Sequence, residues 1–556
     1  MVRTLRALGT FAVGGVVACA LVGCAANPPN PNALNPVGIE SEQGVAANPT
    51  LAPASPATGP NGPNGSNGSN GPDASDGSTG SDESHLPAAS GSQSTEMPTR
   101  PTGERPVNMA GLSADEVLGW NRDYFPLATL GAAGWEASAE VVIDLAAAPA
   151  AAATGTGVGV QDNVVTISQP GNYRVTGTLP DGQVVVDTPG AFRLILDGAD
   201  IGSATGAPLQ ITNAASAAIY LEPGSSNRLV AGLGNSAPPQ DGSQPDAALY
   251  TKADAVISGT GSLTIVANWN DGISAAAGLV ITSGTINIGA VDEAIAAEDF
   301  LVITGGTVSA QTGDDGLAAN SQSDPATGYI AIRGGVVNIS AASDGIDAIT
   351  DFVMDGGEVT ISATGEGIEA ANINLGGGKL DIISGEDALN ATVQGQDSNA
   401  NQVGAALSIT GGNLHAVGIT DGFDSNGLIL VTGGTTILET STGGRGSGGI
   451  DANGTVTLTG GTMLIAGNPT TNDVVTQGQG WITTTGSGAG PTVSVIGPSG
   501  NALGSFTLSD TTDELAFTSA DVVPGSAYSL DVGGTTWGSV TATNMLPRSG
   551  GGGRGR

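Results

Sequence analysis

An acidic residue recurs at one fixed place in a repeat of about 22 residues in the middle of the chain. The acid is followed by a small residue and then by a large apolar one, in the copies Asp271-Gly272-Ile273, Glu293-Ala294-Ile295, Asp315-Gly316-Leu317, Asp344-Gly345-Ile346, Glu366-Gly367-Ile368, Asp387-Ala388-Leu389 and Asp421-Gly422-Phe423. A glycine column follows the acids, at Gly284, Gly306, Gly335, Gly357, Gly378, Gly412 and Gly434. The two longest repeats carry extra residues at the same point, at 320–328 and 392–404. Stacked repeats tolerate insertions at a single corner.

The residues between the acid and glycine columns have the pattern of β-strands. Apolar and polar residues alternate in Thr285-Ile286-Asn287-Ile288 and in Glu358-Val359-Thr360-Ile361, with many β-branched side chains. At about 3.3 Å per residue, such a repeat makes one coil of three short strands and three bends. Stacked coils place equivalent strands in parallel, and a right-handed coil is the expected hand. The sequence therefore predicts an all-β fold, a right-handed parallel β-helix over residues 141–480, with an inward apolar stack of Ile273, Ile295, Leu317, Ile346, Ile368 and Leu389.

The segments that flank the repeats are predicted to close the two ends of the β-helix. Residues 109–140 form a predicted N-terminal cap segment, in which 114–135 has the character of a short helix that covers the open β-edge. Residues 485–545 contain further strand patterns and are predicted to form a small C-terminal β cap. The glycine-rich tail, 546–556, is predicted to be disordered.

The N-terminal residues have the pattern of an export signal. A basic start is followed by an apolar run over residues 7–21, which is too short for a stable membrane span and indicates a signal peptide. The run ends in Leu21-Val22-Gly23-Cys24, which resembles the bacterial lipobox. We therefore expect removal of residues 1–23 and lipidation of Cys24, the alternative being an ordinary signal peptide with an incidental cysteine. Residues 24–108, rich in Pro, Gly, Asn and Ser, are predicted to be a disordered linker that holds the protein off the extracellular face of a bacterial membrane.

The stacked acids indicate a site for hard cations. Two carboxylates about 5 Å apart repel by roughly 3 kcal/mol at an effective dielectric constant near 20. Calcium relieves such repulsion, because it binds six to eight carboxylate and carbonyl oxygens. Nitrogen and sulfur ligands are almost absent from the repeats, which contain His415 alone. The alternative is a solvated corner that keeps β-edges soluble. The predicted Ca²⁺ ligands are Asp271, Glu293, Asp314, Asp315, Asp344, Asp347, Glu366, Glu369, Asp387, Asp421, Asp424 and Asp451.

The charge of the chain restricts its partners. A formal net charge of −37 argues against nucleic acid. It also argues against direct binding to anionic lipid, so any attachment to a membrane is expected through the lipid anchor alone. Cations at the acid column could still bridge to an anionic polymer, and a polysaccharide is the predicted partner.

Several motifs resemble those of a known family. They are Asn268-Trp269-Asn270-Asp271-Gly272-Ile273, the run 171–179, the run 257–265 and the Asp344-Gly345-Ile346 type of repeat. Together they resemble the bacterial cell-surface carbohydrate-binding β-helix family, whose characterised type binds cellulose and polygalacturonate and is similar in fold to calcium-dependent pectate lyases. The resemblance spans roughly residues 141–537. It implies a right-handed parallel β-helix, bound calcium and polysaccharide binding without cleavage, with the family's acids at Asp271, Asp315, Asp344, Glu366, Asp387 and Asp421.

The chain departs from this family pattern at three copies of the repeat; we call the acid position of each copy a rung. Glu293-Ala294-Ile295 and Asp387-Ala388-Leu389 lack the glycine, and the last copy, Gly448-Gly449-Ile450-Asp451, lacks the acid. These departures leave cation binding at those rungs open.

Three kinds of function remain open from the sequence. A binding protein would use calcium at the acids, with Trp269 and Asn270 contacting the sugar, although packing of Trp269 against the preceding turn is an alternative. A β-eliminating lyase would need a basic side chain beside the cation, and only Lys252, Lys379 and Arg333 come into consideration. Hydrolysis by paired acids is less favoured, because no pair stands out. A structural or adhesive protein would use calcium for stability alone.

Overall fold

The computed structural model describes residues 101–147, 157–232, 245, 247–440, 447–470, 476–487 and 490–546. The predicted signal peptide, Cys24, nearly all of the linker and the tail after residue 546 lie outside the described residues. All described residues belong to a compact unit that spans 85–556. Among them, no helix combines the length and apolar character that a membrane crossing needs.

The described residues confirm the all-β prediction, with one large and mainly parallel sheet of 35 strands. Its strands fall into three sets according to their place in the repeat. The acid-column strands begin at or just after the acid position; they are β3 (Val164–Ile167), β5 (Gln183–Asp187), β7 (Leu209–Asn213), β10 (Ala247–Thr251), β13 (Asp271–Ala275), β16 (Ile295–Ala297), β19 (Leu317–Ala319), β26 (Leu389–Ala391), β29 (Asp421–Ser425) and β31 (Gly448–Ala452).

The other two sets lie on either side of the glycine column. The pre-glycine strands are β1 (Glu140–Asp144), β8 (Ala217–Leu221), β11 (Ala255–Gly259), β14 (Gly278–Ile281), β17 (Phe300–Ile303), β20 (Tyr329–Ile332), β27 (Ala406–Ile409) and β33 (Thr476–Gly478). The post-glycine strands are β9 (Ser226–Ala231), β12 (Ser262–Ala267), β15 (Thr285–Ala290), β18 (Thr307–Gln311), β21 (Val336–Ala341), β23 (Glu358–Ala363), β25 (Lys379–Ser384) and β28 (Asn413–Gly418).

Some strands run through two of these positions without a break. Four combine the pre-glycine and post-glycine positions: β4 (Gly171–Leu179), β6 (Phe192–Ser203), β30 (Leu428–Thr440) and β32 (Val456–Ala466). Two combine the acid-column and pre-glycine positions: β22 (Ile346–Met354) and β24 (Ile368–Leu375). The sheet is completed by three strands with antiparallel partners: β2 (Val158–Gln161), β34 (Trp481–Thr485) and β37 (Glu514–Ser519).

Each strand of a set pairs in parallel with the equivalent strand one repeat later. In the acid-column set, Ile273 pairs with Ile295, which in turn pairs with Leu317. The same register continues through Ile346, Ile368 and Leu389. All six of these side chains are fully buried. The predicted inward stack is therefore confirmed, and it belongs to the main hydrophobic core.

The glycine column is explained by backbone conformation. All seven glycines have positive φ angles, between +80° and +106°, which side chains other than glycine rarely adopt. A Cβ atom at Gly357 would also lie 3.0 Å from the carbonyl oxygen of Gly335 in the preceding repeat. Both effects require glycine at this bend.

The glycine that follows the acid is required for a different reason. A Cβ atom on Gly345 would lie 2.3 Å from Cγ2 of Ile361 on the post-glycine strand β23. The two repeats with alanine at this place have alanine at the facing position too. In the repeat where Ala294 replaces the glycine, the facing position holds Ala310, which is in register with Ile288 and Ile339 of the neighbouring repeats. In the repeat where Ala388 replaces the glycine, the facing position holds Ala416, which is in register with Ile382. The two substitutions therefore compensate each other.

This pairing predicts the effect of Gly345→Ala. We expect the variant to lose roughly 1–3 kcal/mol of unfolding free energy, since the added methyl overpacks the contact with Ile361. Ile361→Ala alone should cost roughly 2–5 kcal/mol through the cavity it leaves. The double variant should cost less than the sum of the two, because alanine at one site makes room for alanine at the other. Denaturant unfolding of the four proteins measures this coupling, and additive losses would contradict the explanation.

Both predicted insertions lie at one corner of the repeat. Each connects an acid-column strand to the following pre-glycine strand, β19 to β20 and β26 to β27. The two loops touch, because Nε2 of Gln322 donates a hydrogen bond to Oε1 of Gln394 at 2.6 Å. The sequence prediction of a common corner is thus confirmed.

The N-terminal segment does not lie where the sequence predicted. It contains two short helices, α1 (Ala114–Trp120) and α2 (Phe125–Ala132), and two 3-10 turns at Ala137–Ala139 and Leu145–Ala147. The helices pack along the outer face of the pre-glycine strands rather than over the end of the sheet. The apolar side chains on that face are Ala218, Val256, Val280, Phe300, Val302, Tyr329, Ala331 and Val353. The pre-glycine strands are apolar on both faces, and the outer face needs this cover.

Three arginines fix this segment to the sheet. Arg105 lies in the stretch 101–108, which the sequence assigned to the disordered linker, and it pairs with the buried Asp351 at 2.6 Å, so that assignment is wrong for these residues. Arg122 pairs with Asp254 at 2.6 Å and also contacts Asp299. Arg333 reaches from β20's end to Asp115 at 2.8 Å and to Asp355 at 2.5 Å.

The C-terminal part forms a second, antiparallel sheet of four strands. They are β35 (Thr492–Ile496), β36 (Ala502–Thr507), β38 (Ala527–Val532) and β39 (Thr535–Thr541). Between the two sheets, Leu464 of β32 and Ile482 of β34 share a hydrophobic cluster with Val493, Phe506 and Leu530. This packing covers the last strands of the large sheet.

Candidate functional site

The repeated acids lie in register along one edge of the large sheet. Backbone hydrogen bonds join the residue after each acid to the next acid in the column: the amide of Gly316 donates to the carbonyl of Asp344 at 2.9 Å, and that of Gly345 to Glu366 at 2.9 Å. The bonds continue through Asp387 and Asp421. We call the column of seven residues the acid edge: Asp271, Glu293, Asp315, Asp344, Glu366, Asp387 and Asp421.

Four aspartates of the acid edge also accept a hydrogen bond from the backbone of the next rung. Oδ1 of Asp315 accepts the amide hydrogen of Asp344 at 2.9 Å, and Oδ1 of Asp344 accepts that of Glu366 at 2.8 Å. Oδ1 of Asp387 accepts the amide hydrogen of Asp421 at 2.9 Å, and Oδ1 of Asp421 accepts that of Gly448 at 2.6 Å. Each bond uses one carboxylate oxygen and fixes the position of the group. The sequence reasoning missed this role, although the preference for the short Asp side chain is a signal of it.

A second oxygen column runs beside the acid edge, on the outer face of the acid-column strands. Asp347 is in register with Glu369, which is followed by Asn390, Asp424 and Asp451. In the earlier rungs the same position holds Ser274, Ala296 and Ala318. The second column is therefore acidic only toward the C-terminal end of the sheet.

Among the described residues, two groups of carboxylates come close enough to share a cation. Asp271, Asp292 and Glu293 can place one oxygen each within 4.8 Å of the others, and so can Asp344, Glu366 and Glu369. Asp271 is fully buried. Asp292 was missed in the sequence because it stands one residue before the repeating position. Asp314, which the sequence also proposed, is half-buried beside Asp315.

Burial and mutual repulsion raise the pKa of several of these carboxyl groups. Burial, then the neighbouring Glu366 and Asp315, raise the pKa of Asp344 well above its usual range. Burial and the charge of Asp387 raise the pKa of Asp421 to about 8. The pKa of Asp387 is raised to about 7, by burial and by Asp424. Burial and Asp451 raise that of Asp424 to about 6. A cation bound among these groups would restore their ionised form.

The donor set restricts which cation could fit. Every side chain of the two carboxylate groups offers oxygen, the donor that Ca²⁺ prefers. The imidazole of His415 lies elsewhere, on the post-glycine strand β28, where Nε2 is 2.7 Å from Oε1 of Glu439. The acid edge therefore suits a hard divalent cation rather than a transition metal.

Trp269 is placed in the core. Its side chain is only 5% exposed and belongs to the main hydrophobic cluster. Its Nε1 is buried without a hydrogen-bond partner among the described residues. The ring is not positioned to stack on a sugar, which corrects the sequence prediction. Asn270 next to it has a left-handed backbone, with φ of +52°, and its predicted sugar contact stays a prediction.

A shallow groove runs beside the acid edge, on the outer face of the post-glycine strands β12, β15, β18, β21 and β23. Its volume is about 420 Å³. The strands that line it end a few residues before the acids, as β15 does at Ala290 and β21 at Ala341. The polar side chains that line it are Thr264, Asn287, Ser309, Gln311, Asn338, Ser340 and Thr360. We call this surface the amide–hydroxyl groove.

The polar side chains of this groove are available for a ligand. Within the described part of the chain, the side chains of Asn287, Ser309, Gln311 and Asn338 make no hydrogen bond. No side chain lining the groove is charged, although the whole protein carries a net charge of −37. An anionic ligand would meet less repulsion here than at the acids themselves.

Two of the three basic residues considered for a lyase are held in ion pairs, and the third, Lys252, directly follows the acid-column strand β10, which pairs with β13. Arg333 is 7% exposed and pairs with Asp115 and Asp355 in the N-terminal segment. Lys379 pairs with Asp381 at 2.7 Å, and the hydrogen bonds that it donates to Asp381 and Glu358 raise its pKa. Neither side chain can readily act as a base.

The chain is similar to known proteins over part of its length. The family model described as "Carbohydrate-binding domain-containing protein" matches residues 161–444, just over half of the 556 residues. A protein of that description from Acetivibrio thermocellus is 39% identical over 134 residues, which is 24% of this chain and 46% of the relative. The match thus spans less than half of the relative's length. A solved structure described as a polysaccharide lyase-like protein from C. thermocellum, in a gadolinium derivative, is 31% identical, with 44% of this chain and 96% of that chain covered and a TM-score of 0.39.

Proposed function

Because this chain belongs to the family of carbohydrate-binding domain-containing proteins, we propose that it binds an acidic polysaccharide without cleaving it, through Ca²⁺ held at the acid edge. The observation that carries the proposal is the stacking of seven acids in register, with raised pKa values at Asp315, Asp344, Asp387 and Asp421. Repulsion between the ionised carboxylates destabilises the fold, and a bound divalent cation would remove that repulsion.

We propose that the large sheet is wound as a right-handed parallel β-helix. Three sets of strands each pair in parallel with their equivalents one repeat later, which is the pairing such a coil requires. The right-handed sense rests on the general preference of parallel crossovers.

The Ca²⁺ ligands would come from adjacent rungs. One site would use Asp271, Asp292 and Glu293, and a second would use Asp344, Glu366 and Glu369. Bound Ca²⁺ accepts more oxygens than three side chains supply, so a sugar carboxylate could complete its coordination. Asp314, Asp315, Asp347, Asp387, Asp421, Asp424 and Asp451 would contribute to further sites along the two columns.

The amide–hydroxyl groove would hold the polysaccharide beside these cations. Its side chains offer both hydrogen-bond donors and acceptors, as sugar hydroxyl groups require. Equivalent side chains recur at the strand spacing of about 4.8 Å, so successive residues of an extended polymer could meet the same kinds of polar groups. A uronic acid polymer lying along the groove could direct its carboxylates to the acid edge, and cellulose is the neutral alternative.

The binding function is tested by retention of the full chain on immobilised polygalacturonate. We expect retention in millimolar Ca²⁺ and release in the chelator EGTA, with no growth in the ultraviolet absorbance of unsaturated uronate products. Absorbance growth would indicate a lyase instead. Lack of retention in Ca²⁺, with Ca²⁺ still stabilising the fold, would favour a structural or adhesive protein.

A steric block tests whether the polymer uses the groove. Ser309→Tyr places a large side chain in the middle of it, and we expect at least tenfold weaker binding of polygalacturonate, or about 1.4 kcal/mol. Thr507→Tyr, on an exposed position of β36 in the second sheet, is the matched control and should bind like the unchanged protein. Affinity electrophoresis in Ca²⁺ measures both, and equal loss in the two variants would contradict the assignment.

We also propose that the protein is held at the extracellular face of a bacterial membrane by a lipid on Cys24. The support is the sequence alone, in the order of basic start, apolar run and Leu21-Val22-Gly23-Cys24. Release of a Cys24→Ala variant from the membrane fraction would be expected, and retention of that variant would contradict the anchor.

A further inference from the structure

A second concave site lies where the N-terminal segment crosses the outer face of the first pre-glycine strands. Its volume is about 330 Å³, and it is lined by Trp135, Glu140, Arg174, Tyr220 and Glu222, among others. It lies at a different place from the amide–hydroxyl groove and shares no lining residue with it. We call it the aromatic pocket.

The aromatic rings of this pocket are held in a fixed arrangement. The rings of Trp135 and Tyr220 meet edge to face, with centroids 4.7 Å apart and planes at 74°. The guanidinium of Arg193 lies over the ring of Trp135, 4.5 Å from its centroid. Nε1 of Trp135 donates to Oε1 of Glu140 at 2.7 Å. Both rings remain partly exposed, in a protein with only 3% aromatic residues, most of which are buried.

Polar groups in the pocket converge on one arginine. Arg174 donates through Nε to Glu140 at 2.7 Å, and through Nη1 to Glu222 and Asp197, each at 3.0 Å. These bonds hold the guanidinium of Arg174 and its partner carboxylates in place beside the rings of Trp135 and Tyr220. The hydroxyl group of Tyr220 makes no hydrogen bond within the described part of the chain.

We propose that the aromatic pocket is a second carbohydrate site, which takes one neutral hexose unit of a polysaccharide without Ca²⁺. A pyranose ring has apolar C–H faces that fit an aromatic ring and hydroxyl groups that pair with carboxylate and guanidinium groups. The volume falls at the small end of the range for ligand sites. The aromatic pocket thus combines an apolar wall with a few fixed polar groups, the composition expected of a site for a small polar ligand.

Charge decides between neutral and acidic sugars. Three carboxylates, Glu140, Asp197 and Glu222, surround Arg174, and Arg193 behind the Trp135 ring adds a second positive charge. The balance is one net negative charge, and no set of carboxylates in the pocket is grouped to hold a cation that could bridge to a uronate. A neutral hexose is therefore favoured over a uronic acid. This inference goes beyond the proposed Ca²⁺-dependent binding and does not depend on it.

The test is titration of the full chain with cellotetraose in EGTA, followed by the fluorescence of tryptophan and by calorimetry. We expect saturable binding with a change in tryptophan emission, and at least tenfold weaker binding for the variants Tyr220→Phe and Glu222→Gln. Both substitutions preserve shape, so the fold should persist, and Trp135→Phe should remove most of the fluorescence change. Asp531→Asn, an acid-to-amide change in the second sheet, should bind cellotetraose as the unchanged protein does.

Two results would overturn the inference. One is no heat and no fluorescence change with cellotetraose in EGTA. The other is equal affinity in the unchanged protein, Tyr220→Phe and Glu222→Gln. Polygalacturonate retention in Ca²⁺ is measured on the same preparations, so failure of the aromatic pocket is distinguished from failure of the acid edge.

Discussion

In a calcium chelator, the protein is expected to lose several kcal/mol of unfolding free energy as the pH rises from about 5 to about 9. Millimolar Ca²⁺ is expected to remove most of that loss. For a folded region of this size, the loss corresponds to a fall in Tm on the order of 5–10 °C. The effect arises at the acid edge, where carboxyl groups are buried next to one another.

The sign of the effect follows from the raised pKa values. An aspartate has a pKa near 3.8 in the unfolded chain. In the folded protein the pKa is raised to about 6 at Asp424, about 7 at Asp387 and about 8 at Asp421, so these groups hold their protons more tightly. Between the two values the folded state binds more protons, so stability decreases as pH rises. Asp344 acts in the same direction. Bound Ca²⁺ stabilises the ionised form and should reverse this trend.

His415 contributes to the same pH range and must be separated from the acids. The hydrogen bond to Glu439 raises the pKa of His415, so its stabilising charge is present at low pH and is also lost as pH rises. Calcium at the acid edge does not act on this pair. Thermal unfolding from pH 5 to 9, in EGTA and in Ca²⁺, therefore isolates the acid edge as the difference between the two curves. Parallel curves would contradict the account.

Asp344→Asn is expected to change the stability of the protein in opposite directions with and without Ca²⁺. The amide keeps an oxygen that can accept the backbone hydrogen of Glu366, which Oδ1 of Asp344 accepts at 2.8 Å. It removes a carboxyl group whose ionised form is disfavoured by burial and by the neighbouring Glu366 and Asp315. In EGTA at pH 8 we expect a gain of about 1–3 kcal/mol, since the folded variant no longer has to hold a proton that the unfolded chain releases, while the hydrogen bond remains.

In saturating Ca²⁺ the same variant should be less stable than the unchanged protein. Loss of one carboxylate from the group with Glu366 and Glu369 weakens the cation site, and a site filled at 100 times its Kd contributes about 2.7 kcal/mol. The matched control is Asp531→Asn, whose Oδ1 accepts the amide hydrogen of Gly534 at 2.9 Å in the second sheet. The control should show the same small change in both conditions. A change of one sign for Asp344→Asn in both would contradict a cation at this rung.

Periodicity in the sequence was sufficient to predict the register of the sheet. The spacing of Ile273, Ile295 and Leu317 fixes which residues face inward, because a shift by one residue would turn every side chain to the other face. The glycine column and the common corner of the insertions follow from the same repeat. These features depend only on the spacing of residues along the sequence, because each strand pairs with the equivalent strand of the next repeat.

Features that depend on contacts between different parts of the repeat could not be predicted in this way. The compensation between Ala294 and Ala310 joins residues 16 positions apart that are related only through the register of the paired strands. Asp292 joins the carboxylate group of Asp271 from outside the repeating column. Trp269 is next to an acid in sequence, but its side chain turns into the core. The apolar residues of α1 and α2 indicated burial without indicating which face of the sheet they cover.

The most direct test is an anomalous-scattering map from crystals grown in millimolar Ca²⁺. The account predicts density between successive rungs of the acid edge, within coordination distance of the groups around Asp271 and Asp344, and loss of the second peak in crystals of Asp344→Asn. Cations found only at other surfaces, with the carboxylates of the acid edge bound to water alone, would contradict it.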